Sequence, residues 1–504
     1  MSSRILIAIA LSAALRAQTV PPESVPPPDR PLQLPLSGRT GQPGSVVTVQ
    51  NPLPSGLQSV NTITSNVQVQ GSYQGSVPSA QAPGAPMTLS LDEAVRRGLQ
   101  YNLGTIVNQQ GVRTAEALRA LERSTLLPYA STSLFVADQQ TNLAALGFSG
   151  FPGIPQIVGP FHYFDLRGGA TQSLFDLTRI RNYRGSQENV RSAQLSAQDA
   201  RDLIVLAVTG AYLQVIAAGS RVETTRAQVA TAQATYRQAV DRQTAGVAPR
   251  IDVTRSQVIL QVNQQRQIAL ENDLAKLKIA FGRLIGLPAA QEFSLSDTLP
   301  FAPLAGITLE QALLRAYANR SDLKAAESQV KAAELAKSAA SAERYPTIQV
   351  SGDYGLIGPD PTNSHGTFGA TAAVRLPVFQ GGRVQADVQL ADAALQQRRA
   401  ELQDLRGRID AEVRSAFLDL TSAANQIKVA ESNRGLAAET LTQARDRFAA
   451  GVADTLEVVQ AEEAVAVAEQ DYISSLYQHN LAKATIARAM GQADQNIRQF
   501  LGRP

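Results

Sequence analysis

The chain of 504 residues contains no cysteine and no tryptophan, and it has only three histidines. Without cysteine there is no thiolate nucleophile, no cysteine-ligated metal, no structural disulfide and no N-terminal lipid-modified cysteine. His162, His365 and His479 have no partner at the spacing of a metal site or a catalytic triad. No glycine-rich phosphate loop follows a strand pattern. We therefore expect no enzyme activity, no metal and no cofactor.

Charge of one sign is also lacking, because 46 basic residues face 43 acidic ones and the net charge is only +3. The two signs alternate along polar helix faces and form no basic stripe, which argues against a nucleic-acid partner. The acidic pair Glu462-Glu463 is typical of such a solvated helix face.

Long hydrophobic runs are scarce. Arg4, the apolar run Ile5–Leu15 and Ala17 together resemble a signal peptide over residues 1–17, and an N-terminal core helix is the alternative. That run is shorter than the roughly 20 residues of a membrane-spanning helix, and we expect no such helix elsewhere. Residues 18–86 are rich in proline, glycine and serine, which predicts a disordered segment, either a tether or a spacer.

The chain contains an internal duplication. Gln238–Val253 reads QAVDRQTAGVAPRIDV, and 205 residues later Gln443–Val458 reads QARDRFAAGVADTLEV. A second pair of matching segments lies upstream, at Met87–Leu103 and Ile307–Leu323. We predict two structural repeats of similar size. The predicted boundaries are 87–290 for the first repeat, 291–306 for a linker, 307–491 for the second repeat and 492–504 for a C-terminal tail.

Each repeat begins with a helix and then has a pair of strands. Four segments alternate apolar and polar residues, as strands with one apolar face do. In chain order they are Ala130–Val136, Phe164–Phe175, Thr347–Tyr354 and Thr367–Phe379. They predict hairpins at about 129–175 and about 346–379, and the first has the longer connection, 137–163. Four charged residues fall on the polar strand faces: Asp165, Arg167, Asp353 and Arg375.

A long helical hairpin follows each strand pair. In the second repeat the first helix of that hairpin is predicted from about Val384 to Phe448. Its narrow apolar stripe, with spacings of three, four and seven, is typical of coiled coils. The stripe comprises Leu402, Leu405, Ile409, Val413, Phe417, Leu420 and Ile427. The predicted turns of the two hairpins lie at Gly246 and Gly451, where glycine can end a helix in the left-handed conformation.

The strands have the length that crosses a bilayer, about 9–11 residues when tilted. The alternative is the edge of a soluble sandwich, but no neighbouring segment would cover the apolar face. A sheet in lipid must close, and the smallest membrane barrels have about eight strands, so several chains would share one barrel. Aromatic residues at the strand ends predict a girdle at the membrane interface, with ordinary packing as the alternative. They are Tyr129, Phe175, Tyr345 and Phe379.

The order of strand hairpin and long helical hairpin, given twice, resembles the TolC-like outer membrane efflux proteins from Thr88 to about Gly491. Shorter motifs agree with this resemblance. They are Leu127-Pro128 and Tyr345-Pro346 at the strand entries, Phe175-Asp176 and Phe379-Gln380-Gly381-Gly382 at the exits, and the two Ala-Gly-Val turns. The resemblance implies an α+β membrane protein, a homotrimer whose 12-stranded outer-membrane β-barrel takes four strands from each chain. The barrel would continue into a periplasmic coiled-coil α-barrel.

The resemblance also implies a function. The trimer would dock with a periplasmic adaptor and an inner-membrane pump, and would conduct substrates passively in efflux or type I secretion. The alternative is a periplasmic coiled-coil adaptor or scaffold that conducts nothing; adaptors normally carry one helical hairpin per chain, flanked by compact β-domains.

Two groups of residues carry the implied function at the ends of the helical hairpins. Asp252, Asp454 and Glu457 match the acidic constriction of the family, whereas Arg255 and Gln460 stand where relatives have a second acid. The alternative is that these acids only favour helix N-termini. The adaptor would contact Gly246, Val247, Gly451 and Val452. The four charged residues on the polar strand faces would line the barrel lumen, with snorkelling at the membrane edge as the alternative for the two arginines.

Overall fold

The structure is a computed structural model. The residues that it describes are 45–52, 63–78, 85–145, 147, 155–297, 301–302, 306–453 and 455–501. The predicted signal peptide lies outside them.

The regular elements alternate between short strands, membrane-length strands and helices. In chain order the strands are β1 Val46–Pro52, β2 Ile63–Val69, β3 Met87–Leu89, β4 Tyr129–Asn142, β5 Ile157–Phe175, β6 Phe293–Leu295, β7 Thr347–Gly358 and β8 His365–Arg375. The helices are α1 Leu91–Tyr101, α2 Leu103–Ser124, α3 Leu177–Thr244, α4 Arg250–Leu284, α5 Leu309–Asn319, α6 Ser321–Ala342, α7 Arg383–Ala449, α8 Thr455–Ala489 and α9 Ala493–Phe500.

The chain divides into two compact units, of which the smaller contains residues 120–184 and 335–390. Its centre is a four-stranded antiparallel sheet in the order β4-β5-β7-β8. The pairing of β5 with β7 joins the strands of the two repeats, with Thr171 opposite Ser351. The predicted hairpins are therefore present, and they form one sheet.

The strand bounds differ from the prediction. β4 and β5 continue well into the segment predicted as the connection 137–163, and Gln139 pairs with Phe161 there. In the other direction, β8 ends at Arg375 and not at Phe379. The next residues are Leu376 and Pro377, and proline has no N–H to donate to a partner strand.

The larger unit contains residues 41–119, 185–334 and 391–504. Its helices α1 and α5 begin at equivalent positions of the two repeats, and each has a side-chain cap. The hydroxyl of Ser90 accepts a hydrogen bond from Glu93 N at 3.3 Å, and the hydroxyl of Thr308 accepts one from Gln311 N at 3.3 Å. Both caps satisfy amide groups that an N-terminal turn otherwise leaves unpaired.

The predicted helical hairpins are present as α3–α4 and α7–α8. Leu402, Ile409, Val413, Leu420 and Ile427 of the predicted stripe on α7 are all buried. Leu405 and Phe417 pack against the same core. The coiled-coil stripe is therefore confirmed as the buried face of α7.

One helix differs from the expectation that no segment matches a membrane-spanning helix. Within the described residues, α3 contains a window that is long and apolar enough to cross a membrane, but 61 % of that window is buried inside the structure. Ile204, Val205 and Val208 of this helix are completely buried. The window is thus the core-forming part of α3.

The prediction of disorder over residues 18–86 is wrong for the part that the structure describes. β1 and β2 form an antiparallel pair, and a short 3-10 helix follows at Gly71–Gln74. The pair packs on α8, where the hydroxyls of Thr48 and Thr485 lie 3.2 Å apart. Composition suggested disorder because the segment has little apolar bulk of its own, and its order comes from packing on a helix over 400 residues away in sequence.

The linker and the C-terminal tail are both ordered where the structure describes them. In the linker, β6 pairs in parallel with β3, so that Met87 lies opposite Phe293. In the tail, α9 buries Ala493, Ile497 and Phe500 in the main core. The chain ends and the linker therefore belong to the packed part of the larger unit.

Candidate functional site

The sheet of the smaller unit has one apolar and one polar face. Residues directly opposite each other in antiparallel strands share a face, so the register assigns each side chain. Large apolar residues on one face are Leu134, Val136, Phe164, Leu166, Ile348, Val350, Tyr354, Leu356, Phe368 and Val374. Phe368 and Val374 are 81 % and 71 % exposed. An apolar face of this size without cover is a contact surface for lipid or protein.

The polar face holds a charged group, the ionic cluster of Asp165, Arg167 and Asp353. The Arg167 guanidinium donates to Asp353, and its Nε lies 3.4 Å from Asp165 Oδ2. Its Nη2 donates to the hydroxyl of Thr367 on β8 at 3.1 Å. The cluster thus bridges β5, β7 and β8. Arg375 is not part of it, because it lies at the end of β8 opposite Thr347.

The four predicted girdle aromatics do not occupy equivalent positions. Tyr129 lies opposite Thr171, which places it on the polar face, contrary to a place among the lipid-facing residues. A register shift after Ser173 puts Phe175 opposite Ile348, on the apolar face. Tyr345 precedes β7 and Phe379 lies beyond the end of β8. Phe175 is therefore the strand residue of this set that shares the apolar face.

Both edges of the sheet lack a partner strand within the described residues. β4 pairs only with β5, and β8 pairs only with β7. β4 has 14 residues and β8 has 11. Edge strands of this length present long rows of unpaired N–H and C=O groups, which bind a further strand.

The tips of the helical hairpins, Gly246-Val247 and Gly451-Val452, have the same geometry in both repeats. Each glycine has φ of 75°, a left-handed conformation that glycine adopts without strain. Val247 N donates to Arg242 O and Val452 N donates to Arg447 O, both at 3.0 Å. These bonds define the Schellman motif that ends a helix. Val247 and Val452 are 75 % and 68 % exposed.

The predicted acidic residues lie just after the tips. Asp252 and Glu457 occupy the first turns of α4 and α8. Glu457 forms an ion pair with Arg447 of the same hairpin, at 3.0 Å. Arg255 forms no ion pair with any described residue of the chain, and Gln460 is exposed. Asp454 lies outside the described residues.

A protein-family model described as "Outer membrane efflux protein" matches residues 107–287 and, separately, residues 312–492. The chain belongs to the outer membrane efflux protein family. The resemblance noted in the sequence is thereby confirmed, and the chain is an outer-membrane efflux protein, not a periplasmic adaptor.

Curated relatives of this efflux protein agree in kind. The pyoverdine export outer membrane protein OpmQ of Pseudomonas aeruginosa is 27 % identical over 438 residues, which cover 84 % of this chain and 89 % of that protein. OprJ of the same organism is 24 % identical and covers 64 % and 67 %. The toluene efflux pump outer membrane protein TtgF of Pseudomonas putida is 22 % identical and covers 80 % and 84 %.

Solved structures show the same fold. The Campylobacter jejuni CmeC outer membrane channel superimposes with a TM-score of 0.70 at 15 % identity, over 91 % of this chain and 98 % of that chain. The outer-membrane channel OprN gives a TM-score of 0.69 at 19 % identity, over 80 % and 90 %.

Two arginines near the tips of this efflux protein escaped the sequence prediction. Arg447 holds Glu457, as described above. Arg242, at the end of α3, stacks its guanidinium 4.2 Å from the centre of the Phe448 ring and donates to Phe448 O at 3.4 Å. The repeat contained the signal, because Asp-Arg recurs at Asp241-Arg242 and Asp446-Arg447.

A buried amine was also not predicted. Lys483 of α8 is completely buried and donates to Ala302 O in the linker. Burial lowers the pKa of Lys483 to about 8. His479, one turn earlier, is buried as well; burial and the nearby Lys483 charge lower its pKa to about 4. His479 is therefore a neutral core histidine.

Proposed function

We propose that the protein is the outer-membrane exit duct of a tripartite export system, formed by a homotrimer with a 12-stranded barrel, four strands from each chain. The observation that carries this proposal is the four-stranded sheet, which has an uncovered apolar face and two unpaired edges. Four strands cannot close on themselves, and barrels in membranes need about eight or more. Closure therefore requires further chains, and the family resemblance favours three.

The helical hairpins would extend this barrel into the periplasm. α3 has 68 residues and α7 has 67, which corresponds to about 100 Å for each helix at about 1.5 Å per residue. The two separate family matches support an internal duplication, in which each repeat supplies one strand hairpin and one helical hairpin. Three chains would then provide six similar sectors.

The tips would contact a periplasmic adaptor that links the duct to an inner-membrane pump. Their exposed valines offer small apolar contacts. The names of relatives such as TtgF, an efflux pump outer membrane protein, support a pump as partner. Export is passive in this proposal, and residues 1–17 would direct the chain across the inner membrane.

Asp252, Asp454 and Glu457 would form acidic rings at the periplasmic end, with Arg255 and Gln460 beside them. In a trimer each carboxylate occurs three times around one axis, and its field would favour cations. The ion pair of Glu457 with Arg447 would weaken the ring of the second repeat relative to that of Asp252.

In the barrel, the ionic cluster and Arg375 would face the lumen, because the opposite face is apolar. Phe175 would contact the membrane interface, with Tyr345 and Phe379 just outside the strands on the same side. Tyr129, which shares the polar face, would line the lumen near its periplasmic end.

The test is the purified protein in a planar lipid bilayer, combined with its mass in detergent. We expect discrete conductance steps and the mass of three chains. A protein that stays monomeric, or that inserts without conducting, would overturn the proposal. Deletion of β8 is the control variant, because it removes one edge of the sheet and should abolish both the steps and the trimer.

A further inference from the structure

A cavity of about 430 Å³ lies between the two helical hairpins of the larger unit. Residues of α3, α4, α7 and α8 line it, and we call it the wall cavity. Its apolar lining includes Ile259, Val262, Leu441 and Val465. Sites for small molecules typically have 300–1,000 Å³, a mostly apolar lining and a few polar groups. The wall cavity therefore has the size and surface of a ligand site.

Gln228 of α3 lines this cavity with an unsatisfied amide. Both its Nε2 and its Oε1 are shielded from solvent, and neither has a hydrogen-bond partner among the described residues. Buried polar groups in folded proteins are nearly always paired, because an unpaired one loses its hydration without compensation. A side-chain amide that lacks both a donor and an acceptor partner indicates an occupant with an amide-like group.

The charged lining residues divide into paired and unpaired groups. Glu462 was predicted to lie on a solvated face, but its side chain is only 13 % exposed and binds Arg445 at 3.1 Å. Glu469 lies 3.9 Å from Arg434. By contrast, Glu463 and Arg266 also line the cavity and form no ion pair with the described part of the chain. One carboxylate and one guanidinium thus remain available to a ligand.

We propose that the wall cavity binds a short apolar peptide with free termini. The carboxylate of Glu463 would take the terminal ammonium, and the guanidinium of Arg266 would take the terminal carboxylate through its planar fork. The Gln228 amide would pair with a peptide group, and the apolar lining would hold the side chains. A purely cationic ligand would leave Arg266 unpaired, and a purely anionic one would leave Glu463 unpaired. The proposal concerns binding to the folded helical hairpins and requires no conduction.

The test uses trileucine and its N-acetylated, C-amidated form, which differ in their terminal charges. Isothermal titration calorimetry would measure both with the full-length protein in lipid nanodiscs, against empty nanodiscs. We expect saturable binding of free trileucine, at least tenfold tighter than that of the capped peptide. Glu463→Gln and Arg266→Gln should each remove most of that preference. Glu431→Gln, on an exposed position of α7 outside the cavity lining, is the matched control and should leave binding unchanged.

Gln228→Leu separates a ligand site from a packing defect. It should weaken trileucine binding at least tenfold, and it should raise the melting temperature of the free protein because it removes an unpaired buried amide. Ala227→Phe is a second variant, which should block binding by filling the cavity. Absence of saturable binding, equal affinity for the free and capped peptides, or unchanged affinity in Gln228→Leu and Ala227→Phe would each overturn the proposal.

Discussion

At the scale of single residues, the tightest packing joins the N-terminal segment to α2. Gly104 lies against the ring of Tyr73, and a Cβ at this position would overlap the ring carbons. Next to it, the Asn102 side chain donates to Tyr73 O at 2.8 Å and accepts from Gly104 N at 2.8 Å. The buried Asn102 and the absent side chain at Gly104 together fix residues 71–78 on the helix pair α1–α2.

Gly104→Ala should therefore destabilise the protein. Overpacking of a closed site costs about 1–3 kcal/mol, so we expect a lower melting temperature and faster proteolysis near Tyr73. Gly111→Ala on the same helix is the control, because nothing lies within 4 Å of its added Cβ. Alanine there should stabilise the helix by up to about 1 kcal/mol. Equal effects of the two substitutions would contradict the packing argument.

The buried Lys483 predicts a pH dependence of stability. Its pKa is about 8 in the folded protein and about 10.5 when exposed. Between these values the unfolded chain binds more protons than the folded one, so the free energy of unfolding rises as pH increases from 8 towards 10.5. Lys483→Met lacks this term. The melting temperature of the wild type should therefore rise relative to that of Lys483→Met between pH 8 and 10; a constant difference would show that burial does not tune this amine.

At the scale of elements, alternation in the sequence predicted the strands, their hairpin pairing and their two faces. It did not predict where the strands end. β5 extends because β4 offers it a partner beyond Phe164, where β7 has already ended. The position of Phe175 on the apolar face depends on the register shift after Ser173, which breaks the two-residue period. Such shifts depend on the partner strand and leave no pattern in one strand alone.

The turns of the helical hairpins were predictable because glycine at a helix end has a conformational reason. Gly451→Ala should strain the left-handed position by about 1–2 kcal/mol. We expect faster amide hydrogen exchange in peptides covering 440–458. Gly435→Ala serves as the control, since Gly435 lies within α7 with open space around it and has no positive φ; exchange there should slow. Unchanged exchange after Gly451→Ala would mean that the motif is not what orders the tip.

At the scale of the whole molecule, the duplication predicted the number, order and type of the large elements. The pairing of β1 with β2, the cavity between the helical hairpins and the contact of Arg242 with Phe448 were not predictable. Each depends on residues that are distant in sequence and brought together only by the packed helices. A single sequence has no local pattern for such contacts.

The proposed acidic rings give a prediction for the assembled duct. Asp252→Ala combined with Glu457→Ala should increase single-channel conductance severalfold and reduce the preference for cations, because it removes two carboxylates from each chain at the constriction. The measurement is conductance and reversal potential across a salt gradient. Glu431→Ala with Glu439→Ala removes the same charge from exposed positions of α7 and should leave both unchanged. If both pairs behave alike, the acids near the tips only favour helix N-termini.

The pairing of β5 with β7 has a consequence for the order of folding. The segment between them, residues 176–346, consists largely of helices that form from contacts near in sequence. Closing so long a segment carries an entropic cost that local helix formation does not, and contacts between distant residues form slowly. The helices should therefore form first and the sheet last. Until then, a newly exported chain would expose an apolar face and open strand edges, so that it depends on rapid capture by chaperones or by neighbouring chains before it aggregates.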